Sequence, residues 1–152
     1  MTEPDEWMIR IGHGIELAQR GEAERAREVF TVLWAEIEPG GDPFHRLSLA
    51  HWMADLQEDP REELKWDLRA LDAAGLVTDE RARRAGVTAT VAAFFPSLHL
   101  NLGEVYRKLG DFPAARRQLE LGLAAVGELG EDGYGAMIAR GLDGLAERLS
   151  GA

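Results

Sequence analysis

The stretch LHLNLGEVYRKLGDFPAARRQLELGLAAV, from Leu98 to Val126, decides the fold of this chain. Apolar residues recur in it every three or four positions, on both sides of a break at Gly110 and Asp111 that is followed by Pro113. This spacing is typical of two amphipathic helices. Aspartate shortly before proline favours a helix start, because the carboxylate caps free backbone N–H groups and proline has no N–H to satisfy there. The stretch therefore predicts a helix, a tight turn and a second helix.

The same pattern occurs a second time near the beginning of the chain. Residues 14–33 (GIELAQRGEAERAREVFTVL) align without a gap to residues 103–122 (GEVYRKLGDFPAARRQLELG). Small residues at matched positions let paired helices approach closely, and larger residues fill the space beside them. The chain is thus predicted to repeat one helix–turn–helix unit. The matched pairs are Gly14 with Gly103, Leu17 with Tyr106, Gly21 with Gly110, Ala26 with Ala115, and Phe30 with Leu119.

Both segments resemble the tetratricopeptide repeat family, whose unit of about 34 residues places a small residue and then Tyr or Leu in its first helix. The resemblance implies an all-α fold, a right-handed stack of antiparallel helix pairs closed by a C-terminal capping helix. Its units are expected at about residues 7–40, 43–74 and 96–129. Residues 75–95 form an insertion, and residues 132–149 form the helix that caps the last apolar face.

Helical spacing extends along nearly the whole chain, and no segment alternates polar and apolar residues as a strand would. The length of 152 residues fits one domain, so we expect residues 1–152 to fold as a single helical-repeat domain. Glycine and proline residues divide the chain into predicted helices. These helices are expected at residues 4–19, 22–38, 43–57, 60–74, 79–94, 96–109, 113–128 and 132–149.

Composition and charge exclude several classes of protein. The chain has no cysteine, which rules out disulfides, thiolate catalysis and cysteine-ligated metal sites. Its net charge of −10 disfavours nucleic acid and favours a neutral or basic protein partner. No apolar run is long enough to span a membrane, and the acidic start MTEPDEWMIR does not resemble a signal peptide. We therefore expect a cytoplasmic protein without a membrane partner, in which homo-oligomers are possible.

No enzyme signature is found along the chain. The patterns G-x-S-x-G, H-E-x-x-H and G-x-x-x-x-G-K-[ST] do not occur, so we expect no catalytic residue, metal or cofactor. Two pairs of polar residues keep alternatives open: His51 and Asp55 lie four apart on one predicted helix, and His99 and Asn101 lie on another. Such a set could serve a small-molecule- or metal-sensing domain, or an unrecognised acid–base enzyme.

The resemblance further implies that the first helices of the units line a concave groove that binds a peptide or a helix. The groove positions in this sequence are Met8, Ile11, Ile15, Phe44, Leu47, His51, Asp55, Asn101, Glu104 and Lys108. The groove is expected to be apolar at one end and polar at the other, which suits an apolar anchor with a few polar contacts. The predicted function is a non-enzymatic protein–protein interaction module.

Some residues depart from the family pattern. Members that clamp the C-terminal carboxylate of chaperones place lysine and asparagine where this sequence has Met8, Ile11 and Ile15, so that mode of binding is not expected. His13 occupies a position where the family usually has leucine. Tryptophans are expected to pack between helices, and Trp66 is the best candidate for a surface anchor, because Leu64, Leu68 and Leu71 already define the inward face of its helix.

Overall fold

A computed structural model of the chain describes residues 5–37, 40–86, 91–129 and 132–151. Within these ranges the chain is helical almost throughout and contains no strand, which confirms the all-α expectation. The α-helices are α1 (Glu6–Gln19), α2 (Ala23–Glu36), α3 (Pro43–Asp55), α4 (Pro60–Ala74), α5 (Asp79–Arg84), α6 (Phe95–Lys108), α7 (Phe112–Ala125) and α8 (Gly133–Ser150). Short 3₁₀-helices span Val91–Phe94 and Val126–Glu128. None of the helices described is long and apolar enough to cross a membrane.

The helix starts follow from the aspartates that precede proline. Asp42 accepts a hydrogen bond from the backbone N–H of Phe44 (2.9 Å), and Asp111 accepts one from Ala114 (3.1 Å). Asp59 does the same for Arg61 (2.9 Å). Each carboxylate satisfies a backbone donor that the first turn of a helix leaves without a partner. The predicted starts of α3, α4 and α7 are confirmed.

The two matched turns adopt one geometry. Gly21 and Gly110 both have positive φ, 81° and 82°, a left-handed conformation that glycine adopts without the strain that a side chain would cause. In each turn the residue after the glycine donates its backbone N–H to the carbonyl five residues earlier: to Leu17 in the first (2.9 Å) and to Tyr106 in the second (2.9 Å). The sequence alignment therefore reflects a repeated three-dimensional turn.

The chain divides into two compact units, Met1–Ala73 and Ala74–Ala152. In the first unit α1 packs against α2 and α3, and α2 packs against α3. In the second unit α6 packs against α7, and α8 packs on both of them. Adjacent helices thus pair as the resemblance implies, whereas the expected single domain of residues 1–152 stays a prediction.

Close helix packing depends on glycine at several positions. A Cβ atom at Gly14 would lie 2.6 Å from Cε1 of Phe30, so the α1–α2 pair has no room for a side chain there. At Gly103 the nearest atom would be Cδ2 of Leu145, at 2.5 Å, which shows that α8 rests directly on α6. Gly141 of α8 lies equally close to Leu100, where a Cβ would meet Cδ2 at 2.6 Å. The helix α8 therefore covers the last helix pair as a capping helix does.

The fifth predicted helix, over residues 79–94, is wrong. The helix α5 ends at Arg84, and Gly86 has φ 86°, which a right-handed helix does not accommodate. Val91 lies beside the start of α5, where its backbone N–H donates to Oδ1 of Asp79 (2.9 Å). The predicted helix over 113–128 likewise changes to 3₁₀ geometry at Val126–Glu128. Residues 4, 38 and 87–90, which belong to predicted helices, lie outside the described residues.

Candidate interaction surfaces

The groove positions predicted on α1 divide between surface and core. Met8 and Ile15 are half-buried and remain within reach of a partner. Ile11 is 0 % exposed, because α1 is covered by both α2 and α3, and it belongs to the core of the first unit. The predicted role of Ile11 as a groove contact is therefore corrected.

The helix α3 is more central to the first unit than its predicted groove role requires. Phe44 and Leu47, predicted as groove contacts, are each only 8 % exposed and pack inward. Buried residues lie on most sides of α3, so little of the surface of this helix is accessible to a partner. His51 is half-buried and Asp55 is exposed, so these two polar residues form the accessible part of the predicted groove on α3.

His51 and Asp55 form an electrostatic pair one turn apart on α3. Asp55 as a whole is exposed, but neighbouring side chains shield part of its carboxyl group from water. This desolvation raises the pKa of Asp55 above its ordinary value. The charge of the neighbouring His51 acts in the opposite direction and lowers it. The ring of His51 also meets the ring of Trp52 edge-on, with centroids 6.5 Å apart. A cation from a partner would relieve the unfavourable desolvation of this carboxylate.

In the second unit the predicted groove residues Asn101, Glu104 and Lys108 lie on α6, where Asn101 is half-buried and Lys108 is exposed. Glu104 is bound within the unit: it accepts hydrogen bonds from Nε (3.2 Å) and Nη2 (3.0 Å) of Arg107 and forms an ion pair with Arg148 of α8. Glu104 therefore links α6 to the capping helix, and its predicted contact with a partner stays a prediction.

His99 also has an internal role. It is 9 % exposed, and its Nδ1 donates to Oε1 of Gln118 (2.8 Å), which joins α6 to α7. Its ring lies 6.1 Å from the ring of Phe95. Within the described residues, no group of three histidine, aspartate or glutamate side chains is placed to hold a metal ion. The structure thus brings His51 and Asp55 together and engages His99 in helix packing.

Trp66 is not a surface anchor, since it is only 8 % exposed. Its ring packs edge-on against Trp34, with centroids 5.0 Å apart. The guanidinium of Arg69 lies 4.4 Å from the Trp66 ring centre and 5.5 Å from that of Trp34, and Arg46 approaches Trp34 to 5.4 Å. This cation–π cluster joins α2, α3 and α4. Sequence reasoning missed it, because its members are distant in sequence and no spacing relates them.

A second internal link that the sequence analysis missed involves His45. Its side chain is buried, and Nε2 donates to Oδ2 of Asp5 (2.8 Å), the residue that caps the start of α1. The His45 ring also stacks on Trp7, with centroids 6.1 Å apart. The starts of α1 and α3 are thereby held together. The capping signal of Asp5 is readable in the sequence, but its histidine partner is not.

The first unit has an open apolar cleft between α1 and α2, which we call the α1–α2 cleft. It has a volume of about 540 Å³ and is lined by Ile9, Arg10, His13, Glu28, Val29, Val32 and Leu33. His13, which departs from the family pattern, is exposed at this cleft and does not disturb the core. Two spacings in the sequence could have indicated this cleft. Ile9 and His13 lie on one face of α1, and Val29 and Val32 lie on one face of α2.

A second depression, which we call the acidic groove, lies beside the α1–α2 cleft. It has a volume of about 780 Å³ and is lined by Glu24, Arg27, Glu28, Thr31, Val32, Met53, Gln57, Glu62 and Trp66. Glu28 and Val32 line both depressions, so the two form a continuous surface. This surface consists of residues from α2, α3 and α4 together with α1, and no single stretch of sequence indicates it.

Comparison with known proteins identifies the repeat directly. Residues 96–120 match a family model described as tetratricopeptide repeat. These residues span most of α6, the Gly110 turn and the first turns of α7, within the stretch that decides the fold. No curated protein and no solved structure matches the chain. Tetratricopeptide repeats generally serve as protein–protein interaction modules. The chain therefore contains a segment, residues 96–120, that is similar to a tetratricopeptide repeat, within an all-α fold of paired helices.

Proposed function

We propose that the chain binds a segment of a partner protein through the surface of its first helices. The observation that carries this proposal is the tetratricopeptide repeat at residues 96–120, since such repeats generally bind proteins. On the first unit, the accessible residues at groove positions are Met8 and Ile15 of α1 and His51 and Asp55 of α3. They offer apolar contacts beside a polar pair, a combination that suits a short peptide or a helix.

The partner segment is neutral or basic. The chain carries a net charge of −10, and Asp55 is a carboxylate whose desolvation a cationic side chain would offset. Charge of this kind mainly accelerates encounter, and it is screened over about 8 Å at physiological salt. Association should therefore slow as salt rises, while dissociation depends more on the apolar contacts of Met8 and Ile15.

The proposal is tested with the full chain and a partner recovered from the native host by affinity purification. Replacing His51 and Asp55 with alanine should weaken binding about tenfold in isothermal titration, because a polar contact and a charge contact are lost together. The variant should keep its circular dichroism spectrum, since neither side chain belongs to the core. Asp143→Ala is the matched control, an exposed aspartate on α8.

Two results would contradict this site. If the double variant binds as tightly as the Asp143→Ala control, the partner does not contact α3 at these positions. If the double variant loses its helical spectrum, His51 and Asp55 are structural residues. The absence of catalytic activity, the cytoplasmic location and the possibility of homo-oligomers stay predictions from the sequence.

A further inference from the structure

We propose that the α1–α2 cleft and the acidic groove together form a second binding surface of the first unit. Its occupant is an amphipathic helix of a partner protein, with an apolar face for the cleft and basic side chains for the groove. This surface is distinct from the proposed site on the first helices, because none of Met8, Ile15, His51 and Asp55 lines either depression.

The cleft exposes aliphatic side chains that a folded chain normally covers. Ile9 is 62 % exposed and Val32 is 54 % exposed, while Leu33, at 1 % exposure, forms part of the buried floor. Contiguous apolar surface of this kind marks an interaction site more often than isolated exposed residues do.

The second repeat shows that this helix face is suited to being covered. Continuing the alignment of the two repeats backwards pairs Ile9 with Leu98 and His13 with Leu102. Leu98 is 3 % exposed and Leu102 is 0 % exposed, so the matched face of α6 is buried. In the first repeat the corresponding face of α1 is open. The groove between two packed helices accepts the side-chain ridge of a third helix, which favours a helical occupant over an extended one.

The charge of the acidic groove indicates which side chains border the apolar face of the partner helix. Its lining carries Glu24, Glu28 and Glu62 beside the guanidinium of Arg27, and Glu62 already forms an ion pair with Lys65 (2.8 Å). Arg27 donates to a backbone carbonyl at the end of α3 (2.7 Å), which holds it in place. Among the described residues, no ion pair engages Glu24 or Glu28. Because Glu28 borders both depressions, arginine or lysine side chains beside an apolar helix face would reach these carboxylates.

The test uses three synthetic helical peptides of about 16 residues, roughly four turns. The first carries leucine at positions i, i+3, i+4 and i+7 with arginine on one flank of that stripe. The second has glutamate in place of arginine, and the third has serine in place of leucine. Fluorescence anisotropy with the full chain should show binding of the first peptide and about tenfold or weaker binding of the other two.

Variants of the chain locate the binding. Ile9→Ser combined with Val32→Ser should weaken the leucine–arginine peptide about tenfold, because the apolar contacts in the cleft are lost. Leu76→Ser is the matched control, since Leu76 is 63 % exposed and lies in the second unit. Glu24→Gln should slow association and reduce its dependence on salt, whereas the exposed Glu120→Gln should leave both unchanged. Circular dichroism checks that each variant is folded.

Several results would overturn the proposal. Failure of the leucine–arginine peptide to bind would do so, as would equal binding by the Ile9→Ser/Val32→Ser and Leu76→Ser variants. Equal affinity for the arginine and glutamate peptides would remove the acidic groove from the site. A dimer in sedimentation equilibrium that Ile9→Ser abolishes would assign the cleft to a second copy of the chain. Each result is independent of the His51/Asp55 experiment, so failure of one surface does not decide the other.

Discussion

Gly12 and Gly14 lie two residues apart in α1, and alanine should have opposite effects at these positions. At Gly12 a Cβ would meet nothing within 4 Å, so Gly12→Ala should stabilise the first unit by about 0.5–1 kcal/mol through helix propensity. At Gly14 the Cβ would lie 2.6 Å from Cε1 and 2.8 Å from Cζ of Phe30. Phe30 is 0 % exposed, and overpacking a buried ring of this kind costs about 1–3 kcal/mol.

The two glycines share one helix and one substitution, so the propensity gain cancels when the variants are compared. Their free energies of unfolding should therefore differ by about 1–3 kcal/mol, the overpacking cost alone. Tryptophan fluorescence during urea denaturation measures this difference in the first unit, because Trp7, Trp34, Trp52 and Trp66 all lie within Met1–Ala73. A stability change of 1 kcal/mol corresponds to a melting-temperature shift of roughly 2–4 °C for a chain of this size.

A second substitution separates the steric explanation from other causes. Phe30→Leu removes the ring atoms that the new Cβ would meet, and the matched residue of the second repeat is already leucine, Leu119. Gly14→Ala should therefore cost less in the Phe30→Leu background, with a coupling energy above about 0.5 kcal/mol. Equal stabilisation by Gly12→Ala and Gly14→Ala, or no coupling with Phe30→Leu, would refute the conclusion that close α1–α2 packing requires glycine here.

Ala115 is 0 % exposed and packs with Leu145 of α8, so Ala115→Leu should destabilise the second unit by about 1–3 kcal/mol in thermal unfolding followed by circular dichroism. The exposed Ala124→Leu on the same helix should have little effect, and equal melting temperatures for the two variants would contradict the packing assignment. Because burial raises the pKa of Asp55, native protein binds that proton more tightly than the unfolded chain does. As the pH rises from 3.8, the ordinary pKa of aspartate, through the raised pKa of Asp55, wild type should become less stable relative to the Asp55→Asn variant. Urea denaturation at several pH values measures this difference, and a difference in midpoint that does not change with pH would contradict it.

Local features of the sequence determined the helices and their turns. The caps at Asp42, Asp59 and Asp111 and the left-handed turns at Gly21 and Gly110 were predictable, because these conformations depend on residues a few positions apart. The tetratricopeptide repeat was predictable for the same reason, since its signature lies within one helix–turn–helix segment. The interruption near Gly86 was readable as a break, but the hydrogen bond of Val91 with Asp79 was not, because it depends on tertiary folding.

Only the tertiary structure decided which side of each helix a neighbour covers. Helical spacing places Ile11 and Phe44 on apolar faces, but their burial depends on how many helices pack against α1 and α3. The same limit applies to Glu104, whose arginine partner on α8 is distant in sequence. Conversely, Ile9 and Val32 are aliphatic residues, yet both are exposed in the α1–α2 cleft. Local conformation follows from neighbouring residues along the chain, whereas burial is a property of the packed assembly of helices.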